Sequence, residues 1–361
     1  MSIEFEILAR DGKARTGIIK TAHGDIRTPA VTVNFTPALL RTGLKPSQLG
    51  ELGVEVVLVN TLHAHRDGVG KVHKFLDWDG PVMADSGGFQ MISLAQHLKR
   101  HRNGVEFTID DQSYYFTPEK VLEIQRAMGV DLMMPLDYVV NVRQKNFLLF
   151  LEAARETMRW FEQAAKTGTE NLYYIVQGGT SSIARAMNLR HANKWLKRGV
   201  GAVALGGISL GELKPKLYRT TKFCCDRLIE NRPRHLLGVG EPEDLVECVG
   251  FGIDTFDCVV ATREARHGRL WTQAGILRLT NSRYTNDPVI IDVDCDCPTC
   301  RAGLSRAELR AGLKANDPAT KIKLMLHNVR FTTRLMQQLR QAIEQGRFTE
   351  FRARFKNQLP D

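Results

Sequence analysis

Short apolar runs recur along the whole chain, and each is followed or closed by a polar residue or a glycine. Amphipathic stretches such as Pro118–Met128, Leu149–Ala165 and Ala184–Lys197 lie between several of them. Continuous apolar runs separated by helices are typical of parallel strands that are buried on both faces of a sheet. The eight candidate strands are Pro29–Val33, Val54–Asn60, Pro81–Asp85, Asp131–Asp137, Leu172–Gln177, Ala202–Leu205, His235–Val239 and Thr255–Cys258.

Two parallel architectures fit this pattern, a (β/α)8 barrel and a doubly wound open sheet. The barrel is favoured because the notable polar residues fall at the carboxyl ends of strands all along the chain, where a barrel has its active site. The first strand is also not followed by the Gly-x-Gly-x-x-Gly motif of dinucleotide-binding sheets. A length of 361 residues suits one large barrel domain.

Charge is unevenly distributed. The net charge is +10, and residues 301–361 contain thirteen Lys or Arg against five Asp or Glu. Such an excess suggests a polyanionic partner, because basic side chains displace condensed counterions from phosphates; the alternative is a solvated helix face. No apolar run is long enough to span a bilayer and no signal peptide is evident, so we expect a cytoplasmic protein without a membrane partner.

A cluster of cysteines near the C-terminus predicts a metal site. The motif Cys295-x-Cys297-x-x-Cys300 is followed, after 26 residues, by His327. Three thiolates and one imidazole complete the tetrahedral shell of a zinc ion and leave no open position for water. We therefore expect one structural Zn²⁺, although His327 could also be an ordinary helix residue.

This cluster interrupts the barrel pattern, so the predicted fold is an irregular α/β (β/α)8 TIM barrel with an attached zinc-binding subdomain. We assign residues 1–280 to the catalytic barrel and 281–335 to the zinc-binding subdomain. Residues 336–361 form a C-terminal helical segment that packs on the barrel. The predicted helix Lys321–Gln345 carries one apolar stripe, which is most simply explained as core packing.

Three other motifs could carry chemistry at the mouth of the barrel. Asp85-Ser86-Gly87-Gly88-Phe89-Gln90 follows a strand, and its glycines permit close approach of a ligand, although the motif also suits an ordinary turn. Asp257 ends the last strand ahead of the arginine-rich segment 262–269, which suits attack on a substrate held by its phosphates or a salt-bridged loop. Asp137, Gln177 and the Gly206-Gly207 amides could read a purine edge, or be turn residues.

Together these residues resemble the tRNA-guanine transglycosylases, also called the queuine tRNA-ribosyltransferase family. The resemblance covers essentially the whole chain. Besides the motifs above, it rests on the stretches 12–17, 26–30, 60–63, 177–179, 238–240 and 256–258, and on His327-Asn328. It implies a zinc-containing barrel that exchanges the wobble guanine of GUN-anticodon tRNAs for a 7-deazaguanine base in queuosine biosynthesis.

The resemblance also implies residue roles. Asp257 is similar to the nucleophile that forms a covalent aspartyl-tRNA intermediate, and Asp85 to the general acid/base. Arg263 and Arg266 match positions that contact the anticodon loop. Phe89 would stack on the bound base, and Leu210 and Glu212 lie beside its seven-position substituent. The implied base-binding set is Asp137, Gln177, Gly206, Gly207, Ile208, Ser86, Phe89, Gln90, Asn60, Leu210 and Glu212.

Some positions depart from the family pattern. Leu210 stands where queuine-using eukaryotic enzymes have glycine, which favours 7-aminomethyl-7-deazaguanine, whereas Val139 matches queuine users. Leu304 and Glu308 stand where aromatic residues often support dimerisation, so a homodimer and a heterodimer both stay open. The alternatives are a queuine-inserting enzyme and a non-catalytic tRNA-binding partner subunit. The presence of both Asp85 and Asp257 argues against the latter.

Overall fold

The computed structural model describes residues 3–35, 37–140, 146–209 and 211–358. Its strands are β1 (Glu4–Asp11), β2 (Ala14–Thr21), β3 (Gly24–Thr28), β4 (Ala30–Phe35), β5 (Val57–Asn60), β6 (Val82–Asp85), β7 (His97–His101), β8 (Gly104–Ile109), β9 (Gln112–Phe116), β10 (Leu132–Met133), β11 (Tyr173–Val176), β12 (Ala202–Leu205), β13 (Arg234–Leu237), β14 (Thr255–Asp257), β15 (Arg269–Thr272) and β16 (Gly275–Arg278).

Helices connect most of these strands. They are α1 (Pro37–Leu40), α2 (Pro46–Gly50), α3 (Thr61–Arg66), α4 (Val72–Leu76), α5 (Gly88–Leu94), α6 (Pro118–Met128), α7 (Phe147–Ala165), α8 (Ser182–Lys197), α9 (Lys214–Cys225), α10 (Pro242–Val249), α11 (Val260–Arg266), α12 (Pro298–Arg301), α13 (Arg306–Lys314), α14 (Pro318–Glu344) and α15 (Phe348–Gln358), with a 3-10 turn at Ser282–Tyr284. Among the described residues, no helix has both the length and the apolar character needed to cross a membrane.

Eight parallel strands form the barrel, in the order β10-β6-β5-β4-β14-β13-β12-β11. A parallel bridge between Met133 and Leu172 joins the two end strands and nearly closes the ring. Each strand overlaps one of the eight apolar runs in the sequence, so the predicted α/β barrel is confirmed. The carboxyl ends of all eight strands meet at one face, which is where such barrels bind their substrates.

The longest helices follow the sequence pattern closely. Thr117, Asn146 and Ser181 cap the N-termini of α6, α7 and α8 by accepting a backbone N–H in the first turn. Each helix buries one face against the strands, because its apolar residues recur at helical spacing. These caps and stripes place the helices outside the barrel and leave its upper rim to loops.

Two small antiparallel sheets are added to the barrel. One consists of β1, β2 and β3 and precedes the first barrel strand, and its Arg15 forms a buried ion pair with Asp254. The other consists of β7, β8 and β9 and is inserted between α5 and α6. In this second sheet Arg100 lies 4.2 Å above the ring of Tyr138 and donates to the carbonyl oxygen of Val139, close to the rim of the barrel.

The C-terminal part of the chain packs on the barrel through α14. This helix buries the stripe predicted for it, and it contacts α11, β15 and the first barrel strand β4. Phe348, at the start of α15, packs against Gly250 at the end of α10. The division into residues 1–280, 281–335 and 336–361 stays a prediction.

Candidate active site at the mouth of the barrel

A cavity of about 260 Å³ opens at the carboxyl ends of the barrel strands. The loops after β6, β12 and β13 form much of its wall, so residues far apart in sequence meet there. Its lining residues are Asn34, Asp85, Ser86, Gly87, Gly88, Phe89, Gln90, Met134, Asp137, Val139, Ile175, Gln177, Gly206, Gly207, Ser209, Leu237, Gly238, Asp257, Cys258, Val259 and Arg263.

Asp257 ends β14 at the base of this cavity and is 8% exposed. Its Oδ1 accepts hydrogen bonds from Nε2 of His235 (3.1 Å) and the backbone N–H of Gly238 (3.0 Å), and its Oδ2 accepts one from Nδ2 of Asn34 (3.1 Å). Burial alone would raise the pKa of Asp257, but these donors outweigh it and hold the pKa below the ordinary value. Asp257 is therefore ionised at neutral pH.

Asp85 ends β6 and lines the same cavity. Its Oδ1 accepts hydrogen bonds from Nδ2 of Asn60 (2.8 Å) and the backbone N–H of Gly87 (3.0 Å). Burial raises the pKa of Asp85 to about 7, and the negative charge of Asp257 adds to that rise, although the Asn60 hydrogen bond opposes it. Asp85 can therefore hold or release a proton at neutral pH, unlike its ionised neighbour.

Asp137 and its hydrogen-bond partners Ser86 and Gln177 form a second polar cluster in the cavity. Asp137 is 6% exposed, and it accepts hydrogen bonds from Oγ of Ser86 (2.9 Å) and Nε2 of Gln177 (2.6 Å). Burial raises the pKa of Asp137. A Cβ added to Gly206 or Gly207 would collide with the amide of Gln177, so only glycine allows the backbone to come this close.

The rim of the cavity is partly apolar. Phe89 is 51% exposed at the start of α5, and the half-buried Gln90 follows it. Val139, Met134 and Ile175 supply apolar walls between the polar groups. A cavity that combines apolar walls with a few convergent polar groups suits a small ligand such as a heterocyclic base.

Three of the predicted base-binding residues that the structure describes, Asn60, Ile208 and Glu212, do not line the cavity. Asn60 contacts Asp85 from behind, and its Oδ1 caps α3 by accepting the N–H of His63. Ile208 is fully buried beneath the Gly206-Gly207 loop, and Glu212 is half-buried and near enough to Arg185 to act on its charge. Leu210 lies outside the described residues.

The two predicted tRNA-contacting arginines lie on α11, directly after Asp257. Arg263 lines the cavity and forms an ion pair with Glu264 at 3.3 Å. Arg266 lies one turn further along, and its Nε donates to the carbonyl oxygen of Thr262. Both arginines therefore lie on the helix that begins just after the carboxyl end of β14.

Sequence reasoning missed two residues that contact Asp257, namely Asn34 and His235. Each lies in a barrel strand that holds another polar residue, Thr32 in β4 and Arg234 in β13. Side chains alternate between the two faces of a strand, so a polar residue in a barrel strand can point into the barrel interior. Polarity within a predicted buried strand was the available signal, and no short motif carries it.

Comparison with known proteins identifies the family. The model of the queuine tRNA-ribosyltransferase family matches residues 11–361. The chain belongs to this family. A queuine tRNA-ribosyltransferase of Dictyoglomus turgidum is 38% identical, with 97% of this chain and 93% of that protein covered. Those of Aquifex aeolicus and Fusobacterium nucleatum are 37% and 34% identical, with at least 98% of this chain covered.

Membership of the queuine tRNA-ribosyltransferase family makes the chain a pentosyltransferase of the tRNA-guanine transglycosylase type, which acts on tRNA and a base. The resemblance predicted from the motifs is thereby confirmed. A mouth that combines a nucleotide-sized cavity with nearby arginines is consistent with this activity.

The four residues predicted to bind zinc also come together in this family member. The ligand atoms of Cys295, Cys297, Cys300 and His327 lie within 4.8 Å of one another. Nε2 of His327 lies 2.8 Å from the carbonyl oxygen of Trp271, which can only accept, so Nε2 carries the hydrogen. Nδ1 therefore presents its lone pair to Sγ of Cys297 (3.6 Å) and Cys300 (3.4 Å). This arrangement can hold a metal ion.

Two arginines of the basic C-terminal segment, Arg330 and Arg334, are engaged within the protein. Arg330 forms a bidentate ion pair with Asp296, through Nε at 2.6 Å and Nη2 at 2.7 Å. Arg334 donates to the carbonyl oxygen of Asp294. Both arginines brace the cysteine-bearing loop against α14, so a phosphate contact at Arg330 would first have to displace a bidentate partner.

Proposed function

We propose that this transglycosylase exchanges the wobble guanine of GUN-anticodon tRNAs for a 7-deazaguanine base through a covalent intermediate on Asp257. The proposal rests on two carboxyl groups at the barrel mouth that have different pKa values. Asp257 has a lowered pKa and Asp85 a pKa of about 7. Two carboxyl groups in one cavity thus suit different roles, one as nucleophile and one as acid/base.

In the first displacement, Asp257 attacks the anomeric carbon of the target nucleotide. The glycosidic bond to N9 of guanine breaks with its electron pair on the base, through a transition state that resembles an oxocarbenium ion. Protonated Asp85 donates its proton to the departing guanine. In the second displacement, the incoming base gives its proton to Asp85, its nitrogen bonds to the anomeric carbon, and the electron pair of the ester bond returns to Asp257.

We assign recognition of the base to Asp137, Gln177 and the Gly206-Gly207 backbone, which line the same cavity as the two carboxylates. Asp137 can accept from a ring N–H and an exocyclic amine, while Gln177 and the backbone amide near Gly207 can reach the base carbonyl. Phe89 is exposed at the rim and can stack on the base. The nucleotide must leave the base stack to enter the cavity, and an anticodon loop suits this because its bases are already partly unstacked.

We assign the metal site to zinc with a structural role. A Cys3His set is a preferred shell for Zn²⁺ and leaves no position for water, so it supplies no Lewis acid to the reaction. The site would join the Cys295–Cys300 loop to the middle of α14, which itself packs on the barrel. Binding energy at such a site contributes directly to the stability of the fold.

For the incoming base, we favour 7-aminomethyl-7-deazaguanine over queuine. The family resemblance aligns Leu210 with a glycine of queuine-using enzymes, and a close-packed pocket tolerates the extra cyclopentene ring of queuine only with strain of about 1–3 kcal/mol. Glu212 could pair with the aminomethyl cation, a charge-assisted contact worth about 1.5–3 kcal/mol. Val139 at the cavity wall favours the alternative, a queuine-inserting enzyme.

The test of the exchange is release of radiolabelled guanine from tRNA in the presence of each 7-deazaguanine base. We expect exchange with wild-type protein and none with Asp257→Asn. The test of the base is kcat/KM for the aminomethyl base and for queuine, in wild type and in Leu210→Gly. We expect the variant to gain queuine activity, whereas equal or better use of queuine by wild type would overturn the size argument.

A further inference from the structure

A buried imidazole lies directly beneath the proposed nucleophile. His235 occupies the second position of β13 and is fully buried in the barrel interior. The register of β13 and β14 sets His235 opposite Thr255, and Leu237 opposite Asp257. Because side chains of one face recur every second residue, His235 and Thr255 form the layer immediately below the one that carries Asp257.

Hydrogen bonding orients the ring of His235. Nε2 lies 3.1 Å from Oδ1 of Asp257, and Nδ1 lies 2.9 Å from Oγ1 of Thr255. An ionised carboxylate can only accept, so Nε2 carries a hydrogen and donates to Asp257. Thr255 therefore holds one side of the ring while the other side donates to Asp257.

The two oxygens of Asp257 are not equivalent. Oδ1 accepts from both His235 and the backbone N–H of Gly238, whereas Oδ2 accepts from Asn34 alone among the described groups. Asn34 is itself oriented, because its Oδ1 accepts from the hydroxyl of Thr32. Oδ2 is therefore the oxygen with more unshared lone-pair capacity, and it is the better placed to form a new bond.

We propose that His235 is a positioning residue for Asp257: through the hydrogen on its Nε2, it holds Oδ1 so that Oδ2 attacks. This inference rests on the proposed function. When the ester forms, Oδ1 becomes its carbonyl oxygen and loses most of its negative charge. When the ester bond breaks in the second displacement, the pair returns to the carboxylate, and the N–H groups of His235 and Gly238 stabilise the charge that develops on Oδ1.

The inference predicts a specific kinetic signature. His235→Phe keeps a ring of similar size but removes the donor, so breakdown of the covalent intermediate should slow by about tenfold to a hundredfold. The covalent protein–RNA adduct should then accumulate during turnover. The acidic limb of the rate profile should move to higher pH, because one of the donors that keep Asp257 ionised is gone.

Other ionisable groups near Asp257 and His235 also contribute to the dependence of the exchange rate on pH. Asp85 on β6 and Cys258 beside Asp257 interact with its charge, Arg263 on α11 lines the same cavity, and the Tyr173 ring on β11 lies edge-on to His235 at 6.2 Å. These groups stay the same in every variant compared. A shift of the acidic limb between variants therefore reports on the His235 contact.

The experiment measures exchange against pH, and the denaturant-stable protein–RNA adduct on a gel, for wild type, His235→Phe and His235→Gln. Glutamine restores a donor and should recover most of both readouts. Thr255→Val should act in the same direction as His235→Phe but more weakly, because the ring of His235 then loses the hydrogen bond that orients it at Nδ1; Thr255→Ser should restore it. This second pair keeps the test open if His235→Phe does not fold. His191→Gln on α8, away from the cavity, is the matched control.

The outcomes separate this inference from the proposed function. Absence of both exchange and adduct in wild type would refute the covalent mechanism itself. Normal exchange and adduct in wild type, with an unmoved acidic limb and unchanged adduct level in folded His235→Phe, would overturn the role of His235 alone. An equal loss of exchange in His235→Phe and His235→Gln, with neither adduct accumulation nor a shifted acidic limb, would indicate that His235 only packs in the barrel core.

Discussion

The contact between Asn60 and Asp85 offers the sharpest test of the acid/base assignment. Nδ2 of Asn60 donates to Oδ1 of Asp85 at 2.8 Å, and Oδ1 of Asn60 caps α3 by accepting the N–H of His63. Serine is a good cap residue but lacks the amide that reaches Asp85. Asn60→Ser therefore removes the hydrogen bond and keeps the cap, whereas Asn60→Ala removes both.

The size of the effect follows from the pKa of Asp85. Burial raises that pKa from 3.8 to about 7, against the opposing effect of Asn60, which stabilises the ionised form. A hydrogen bond to a charged group contributes about 1.5–3 kcal/mol, and one pKa unit corresponds to about 1.4 kcal/mol. Without Asn60 the ionised form is less stable, so the pKa rises, by about one to two units.

The assay is the pH dependence of kcat/KM for guanine exchange, whose basic limb reports the acid of the free enzyme. In wild type the limb should lie near the pKa of about 7 given by burial of Asp85. It should move upward by about one to two pH units in both Asn60 variants, while only Asn60→Ala loses about 1 kcal/mol of stability. A limb that stays in place, or moves to lower pH, would refute Asp85 as the group observed.

Three further outcomes are expected. Asp257→Asn should lower exchange by about a thousandfold or more, equivalent to about 4 kcal/mol, with tRNA affinity retained in a filter-binding assay; near-normal turnover would contradict the nucleophile. Wild-type protein should contain one zinc ion per chain by elemental analysis, and Cys297→Ala should be metal-poor and melt at lower temperature; a folded, metal-free wild type would rule the site out. Charge removal at Arg263 and Arg266 together should flatten the slope of log affinity against log salt by about one to two; an unchanged slope would move the tRNA contact elsewhere.

The barrel was predictable because its signal is local. Each of the eight strands is a short apolar run, and burial of both faces by the surrounding helices requires that pattern. The helices were predictable for the same reason, since α6 begins and ends where its cap and its apolar stripe indicate. The added sheets were not predicted, because β1 to β3 and β7 to β9 are not continuous apolar runs followed by a helix, and so they fall outside the barrel repeat.

The site was only partly predictable, and the reason is geometric. Motifs such as Asp85–Gln90 and the cysteine cluster carry their own spacing, so a sequence displays them directly. Asn34 lies 223 residues from Asp257, and a hydrogen bond joins them only because β4 and β14 are neighbours in the closed sheet. A strand order is a property of the fold, so no local pattern specifies that pair.

The two carboxylates show why such distant contacts decide chemistry. Asp85 and Asp257 both lie at strand ends in one cavity, and burial pushes the pKa of each upward. Hydrogen bonds lower the pKa of both groups: His235, Asn34 and Gly238 act on Asp257, and Asn60, Gly87 and Thr61 act on Asp85. The pKa values differ because Asp85 also faces the negative charge of Asp257, whereas the contact with His235 favours the ionised form of Asp257. In the proposed mechanism the nucleophile is therefore distinguished from the acid/base in part by Asn34 and His235, which neighbouring strands bring to β14.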